Sequence, residues 1–177
     1  MKLEIDIIAL AKSWGVTPEE YSESVSGSTC AGLMELKVAK ELNGRRMGGE
    51  QLPYDVIANS RKNKLVEVRS ICSSAASFAP STATGKGRFF CETDFYKKVE
   101  DCDSYVFCDL RDKLMKPVTL YEIDASEVLE MYETVKSVGF DKKLRRDIPK
   151  YYLSDSASMT QKRFFERFPY EEYALVA

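Results

Sequence analysis

The chain has 177 residues and a formal net charge of −2, so it fits one domain and its total charge favours no class of partner. It contains no histidine, which excludes catalytic triads and metal sites that depend on imidazole. Its five cysteines are scattered without CxxC spacing, as is typical of reduced thiols in a cytoplasmic protein. We therefore expect a cytoplasmic protein with no signal peptide and no membrane span.

The first part of the chain is predicted to contain helices followed by a hairpin. Residues 1–16 have apolar side chains near helical spacing and Gly15 as a stop. Residues 31–44, AGLMELKVAKELNG, are predicted to form a further helix that ends at Gly44. YDVIA and KLVEVRS are rich in β-branched residues and flank the turn sequence NSRKN, so residues 54–70 are predicted to form an antiparallel hairpin.

The second part is predicted to alternate between helices and strands. It begins with a long polar segment, residues 71–91, in which serine, alanine, threonine and glycine dominate. The elements predicted beyond it are a helix at 92–102, strands at 104–110 and 116–123, and helices at 124–139 and 154–168. This order indicates an α/β fold with a mixed β-sheet flanked by helices. We treat 1–177 as a single domain with N-terminal helices (1–28), a core (about 29–135) and a basic C-terminal extension (136–177).

Charged side chains interrupt the two strands of the predicted hairpin. Because side chains alternate along a strand, Glu67 and Arg69 are expected on one face, about 7 Å apart at ~3.3 Å per residue, while Val66 and Val68 face the core. Asp55, on the partner strand, can come close to Glu67. Two carboxylates held together are unfavourable unless a cation joins them. Carboxylate oxygens suit Mg²⁺, so the hairpin is a candidate metal site.

The helix before the hairpin contributes a further candidate, Glu35. At 100° per residue it shares an arc with Val38, Ala39 and Leu42, so its side chain is expected to point inward. A carboxylate in such apolar surroundings needs a partner.

Together these features resemble the PD-(D/E)XK nuclease superfamily, and within it the type II restriction endonucleases. PYD at 53–55 stands for the first half of the motif, and EVR at 67–69, twelve residues further on, stands for the second. The helix with Glu35 is similar to the one that often supplies an extra glutamate. The resemblance covers roughly residues 29–135. It implies a restriction-endonuclease-like core and Mg²⁺-dependent hydrolysis of phosphodiester bonds in double-stranded DNA.

The resemblance also implies a role for each site residue. Asp55 and Glu67 would hold Mg²⁺, together with the backbone carbonyl of Val68. Glu35 would hold a water of that ion or a second ion. These are the roles that the family pattern assigns to the matching positions.

Arg69 departs from the family pattern, which usually has lysine at this position. Arginine can orient a nucleophile or a phosphate through its guanidinium, but it cannot lose a proton to act as a base. Water activation would then depend on the metal alone or on another lysine, for which Lys37 and Lys64 are candidates. Otherwise the enzyme is impaired.

Two groups of basic residues are candidates for DNA binding: Lys86 and Arg88 in the polar segment, and Lys142, Lys143, Arg145 and Arg146 late in the chain. A homodimer is expected, because it would cut both strands of a site with two-fold symmetry. Two alternatives stay open: a Holliday-junction resolvase or repair nuclease with the same core, and a catalytically impaired DNA-binding module. The plainer interpretations are a cross-strand salt bridge for the strand residues and a solvated face for the basic residues.

Overall fold

The computed structural model describes residues 2–3, 6–15, 17–19, 21, 27–47, 54–59, 62–71, 75–80, 89–111, 118–139 and 153–175. In this part of the chain a mostly antiparallel mixed sheet is flanked by helices. The predicted α/β class with a mixed sheet is confirmed at that level, whereas the treatment of 1–177 as one domain stays a prediction. No helix in the described ranges combines the length and the apolar composition needed to cross a bilayer.

Strands and helices follow one another along the chain. The strands are β1 (Lys2–Leu3), β2 (Arg45–Arg46), β3 (Val56–Ala58), β4 (Lys64–Ile71), β5 (Ala75–Ser77), β6 (Ser104–Asp109), β7 (Val118–Asp124) and β8 (Ser158–Thr160). The helices are α1 (Ile7–Trp14), α2 (Gly27–Glu41), α3 (Glu92–Glu100), α4 (Ala125–Ser137), α5 (Gln161–Arg167) and α6 (Tyr170–Tyr173).

The main sheet has the strand order β1-β7-β6-β4-β3-β2. β3 and β4 pair antiparallel, with Val56 opposite Val66, so the predicted hairpin is confirmed. β4 and β6 are parallel, and α3 lies in the crossover between them. Such a parallel pair requires a long connection, which is why a helix occupies it. β5 and β8 form a separate two-stranded sheet.

The central strands β6 and β7 are buried on both faces, and their residues are divided between two cores. In β6, Val106 and Cys108 pack in one core with the apolar side of α2. Tyr105 and Phe107 pack in the other core, with residues of α3, α4 and α5. This alternation follows from the two-residue period of a strand and explains why SYVFCD is almost continuously apolar. Polar side chains on these central strands are therefore held between packed layers.

Three sequence predictions about element type need correction. The helix predicted over 1–16 is shorter, because Lys2 and Leu3 instead pair with β7 and extend the sheet. The segment 71–91 contains β5, whose pairing with a strand more than 80 residues away has no local signal. The helix predicted over 154–168 begins only after β8, where the Thr160 side chain caps α5.

Gly44 ends the helical region for a reason other than the one predicted. The residue with a left-handed backbone at this turn is Asn43, with φ 46°. A Cβ on Gly44 would lie 2.2 Å from the carbonyl oxygen of Ile57. Glycine is therefore required by the close approach of the turn to β3.

Candidate active site

Asp55 lies immediately before β3 and is bound to the backbone of the neighbouring strand β4. Its amide donates to the carbonyl of Val66 at 2.9 Å, and its Oδ2 accepts from the amide of Val68 at 2.8 Å. These bonds hold the carboxylate beside the middle of β4. The predicted closeness of Asp55 and Glu67 is observed, since Asp55 is hydrogen-bonded to the backbone of both residues that flank Glu67.

Glu67 is a buried carboxylate with a cation on each oxygen. The residue is only 4% exposed. Its Oε1 lies 2.9 Å from Nη2 of Arg69, and its Oε2 lies 2.5 Å from Nζ of Lys98. A buried carboxylate without partners costs several kcal/mol, so these two cations offset the cost of burying Glu67 between the layers.

Arg69 is held by the protein on more than one side. Besides its contact with Glu67, its Nη2 donates to the carbonyl oxygen of Ala79 at 2.8 Å. The side chain is 14% exposed. Its guanidinium thus ties β4 to the segment that follows β5 and fixes the rotamer of Glu67.

The electrostatic environment raises the pKa of Asp55 to about 7 from an ordinary value of 3.8. Burial is the largest cause and the negative charge of Glu67 is the next. The amide of Val68 and the positive charge of Lys98 act in the opposite direction. A carboxylate so perturbed is stabilised in its charged form by any further cation that approaches it.

Lys98 is the residue of this cluster that the sequence analysis missed. Lys98 lies on α3 and is 31 residues beyond Glu67 in the chain. Phe95 and Val99 form the buried side of α3, and Lys98 follows Phe95 by three positions, which places it near the same side. The helical phase of FYKKV is therefore a signal that could have separated Lys98 from its neighbour Lys97.

The structure does not join Glu35 to the cluster. Oε2 of Glu35 lies 2.7 Å from Nε of Arg46, and the Glu35 side chain is 17% exposed. α2 packs against the sheet face that carries Val56 and Val66, whereas Lys98 approaches Glu67 from α3 on the other face. Glu35 points partly inward, as expected, and its role at a metal stays a prediction.

The two lysines proposed to substitute for the motif lysine are placed elsewhere. Lys64 binds Glu122 at 3.1 Å and Asp124 at 2.9 Å. Lys37 lies on α2, as Glu35 does. Neither has a contact with Asp55 or Glu67 among the ion pairs of the described residues, and the lysine that does contact Glu67 is Lys98.

Pro53 and the candidate DNA-binding residues lie outside the described residues, and their roles stay predictions. These candidates are Lys86, Arg88, Lys142, Lys143, Arg145 and Arg146.

No family model matches the chain, and no curated protein or solved structure is significantly similar to it. Any assignment of function must therefore be argued from the residues and geometry of this chain.

The fit of a metal ion depends on two carboxylates. Within the described ranges, no three or more acidic, thiol or imidazole side chains cluster in a way that could hold a metal. Mg²⁺ nevertheless keeps several waters and often takes only one or two carboxylates. Buried Glu67 and half-buried Asp55 supply hard oxygen ligands, and the raised pKa of Asp55 favours a cation beside it. The residues thus fit a hydrated Mg²⁺, with Lys98 as a competing charge at Glu67.

Proposed function

We propose that the protein is a Mg²⁺-dependent endonuclease that hydrolyses phosphodiester bonds in double-stranded DNA, in the manner of a type II restriction enzyme. The observation that carries the proposal is the convergence of Asp55 and Glu67 on neighbouring strands, with two cationic side chains on Glu67. Largely buried carboxylates beside positive charges are suited to binding a metal and an anionic phosphodiester together.

The order of the elements supports the proposal. α2 is followed by the antiparallel strands β2, β3 and β4, then by the crossover helix α3 and the parallel strand β6. This succession is the one expected of a restriction-endonuclease-like core. Asp55 immediately precedes β3 and Glu67 lies on β4, and these positions at the hairpin support the proposed motif.

The side chains would divide the work as follows. Asp55 and Glu67 would hold Mg²⁺, with the carbonyl of Val68 as a further ligand. When bound, the ion would polarise the scissile phosphate and lower the pKa of a nearby water. Arg69 keeps Glu67 in one rotamer through its bonds to Glu67 and to the carbonyl of Ala79. The burial of Glu67 reduces screening by water and so strengthens its charge interactions.

Cleavage of a plasmid of known sequence in the presence of Mg²⁺ tests the proposal. Discrete fragments are expected from the wild-type protein, and Glu67→Gln should reduce the rate by at least about 100-fold. Glu122→Gln is a matched control, because Glu122 is also a strand glutamate in an ion pair, here with Lys64, and its side chain is only 10% exposed. Preferential nicking of four-way junctions would favour the resolvase alternative, and equal rates for Glu67→Gln and wild type would refute the metal role of Glu67.

One observation favours the second candidate function, a catalytically impaired DNA-binding module. Both oxygens of Glu67 are in ion pairs, so its charge is compensated by Arg69 and Lys98 without a metal. This candidate predicts DNA binding that is independent of Mg²⁺ and no cleavage at any metal concentration. A gel-shift titration with and without Mg²⁺, run beside the cleavage assay, separates the two functions.

A homodimer acting on DNA in the cytoplasm remains part of the proposal. Sedimentation of the protein alone and with a short duplex measures the assembly state directly, and a monomer in both conditions would refute the dimer.

A further inference from the structure

The two cations beside Glu67, Arg69 and Lys98, are held by different contacts. Arg69 is bonded to a carboxylate and to a backbone carbonyl, both through Nη2. A guanidinium tied to the backbone in this way cannot turn toward a substrate without breaking a buried hydrogen bond, which costs about 1–3 kcal/mol. Arg69 is therefore better placed to hold Glu67 than to follow a phosphate.

Lys98 is held differently. Its ammonium forms an ion pair with Oε2 of Glu67 at 2.5 Å, and its side chain is 13% exposed, close to the 14% of Arg69. The charge of Lys98 also acts on Asp55. The ammonium is therefore in contact with Glu67 and within electrostatic range of Asp55. A flexible four-carbon stem with three rotatable donors lets it bind a phosphate oxygen with little rearrangement.

We propose that Lys98, and not Arg69, is the cation that contacts the scissile phosphate, and that Arg69 is a positioning residue for Glu67. This inference rests on the proposed nuclease function and departs from the role that the family pattern gives to the strand position 69. The lysine that the strand motif lacks is thus supplied by helix α3.

The reaction assigned to the site is a hydrolysis. The oxygen of water forms a bond with phosphorus, one phosphorus–oxygen ester bond breaks, and a phosphomonoester and a sugar hydroxyl result. The proton lost by water passes to solvent, and the departing sugar oxygen takes up a proton from solvent. The ammonium of Lys98 donates a hydrogen bond to a non-bridging phosphate oxygen, on which negative charge grows during attack.

Three lysine variants test the assignment in single-turnover cleavage assays of the full-length protein. Lys98→Met removes the charge and should lower the maximal rate by about 100-fold or more, with the half-saturating DNA concentration changed less than about threefold. Lys97→Met is the matched control, because Lys97 is the exposed neighbour on the same helix and should retain the wild-type rate. Lys98→Arg keeps the ion pair with Glu67 but replaces the compact ammonium with a planar fork, so we expect about a tenfold loss.

Mn²⁺ binding by calorimetry shows whether the site survives each change. Removal of the ammonium from Glu67 should tighten Mn²⁺ binding several-fold in Lys98→Met, the opposite direction from the rate. A merely structural role for Lys98 would not give this opposition. If Lys98→Met does not fold, Lys98→Arg decides the question, because it preserves the ion pair.

Two results would overturn the assignment while leaving the nuclease proposal in place. The first is a Lys98→Met protein that cleaves at half the wild-type rate or faster. The second is a Lys98→Arg protein with the full wild-type rate. If instead the wild-type protein itself cleaves no DNA under any condition, it is the proposed function that fails.

Discussion

The raised pKa of Asp55 predicts a specific dependence of folding stability on pH. The folded protein binds the proton of Asp55 with a pKa of about 7, whereas the ordinary value is 3.8. The contribution of protonated Asp55 to stability is therefore complete below about pH 4 and is lost as the pH rises to about 7. The two values correspond to about 4 kcal/mol in total, at ~1.36 kcal/mol per pH unit.

Asp55→Asn removes this titration while keeping the size of the side chain. The free energy of unfolding should be measured by urea denaturation with a chelator present, at pH 5 and at pH 8. The two pKa values predict that wild type loses roughly 2.5 kcal/mol more than Asp55→Asn between these conditions. Asp94→Asn is the control, since Asp94 is exposed on α3 and its replacement should leave the wild-type pH profile unchanged.

Addition of Mg²⁺ extends the same experiment to the site. A cation held by Asp55 lowers the pKa of its carboxyl, so saturating Mg²⁺ should flatten the difference between wild type and Asp55→Asn. Parallel pH profiles of the two proteins in chelator would refute the reasoning, because they would mean that Asp55 is neither buried nor close to Glu67 in solution.

Two further substitutions test the packing around the site. Arg69→Met leaves one oxygen of the buried Glu67 without its cation and should cost about 3 kcal/mol of unfolding free energy, measured by urea denaturation at pH 7; a loss under about 1 kcal/mol would show that Arg69 does not hold Glu67. Gly44→Ala forces a methyl group against the carbonyl of Ile57, where a Cβ would lie 2.2 Å from the oxygen, and should cost at least about 2 kcal/mol by the same measurement. Wild-type stability of that variant would contradict the close approach of the turn to β3.

Local chemistry was enough to predict the hairpin and part of the site. β-Branched residues on both sides of NSRKN predict paired strands, and β3 and β4 form them. Because the strand period is two residues, the sequence also predicts that Glu67 and Arg69 share one face of their strand. The pairing of these strands then brings Asp55 to the same place.

The partners of those residues were decided only by tertiary structure. Glu35 was predicted to point inward, and it does so in part. Because β2 lies next to α2, the carboxylate of Glu35 forms an ion pair with Arg46. Lys64 forms an ion pair with Glu122 on β7. The hydrophobic period and the secondary-structure propensities of a sequence predict which way a side chain faces on its own helix or strand. They carry no information about which other element packs against that face.

The sequence by itself thus determined the α/β class, the central hairpin and the closeness of two carboxylates, since each depends on residues near one another in the chain. Only the tertiary structure decided that β1 extends the sheet, that β5 pairs with β8, and that Lys98 forms an ion pair with Glu67. These contacts join residues from 31 to more than 110 positions apart. They arise when helices and strands pack to bury their apolar sides, and that packing is a property of the whole fold.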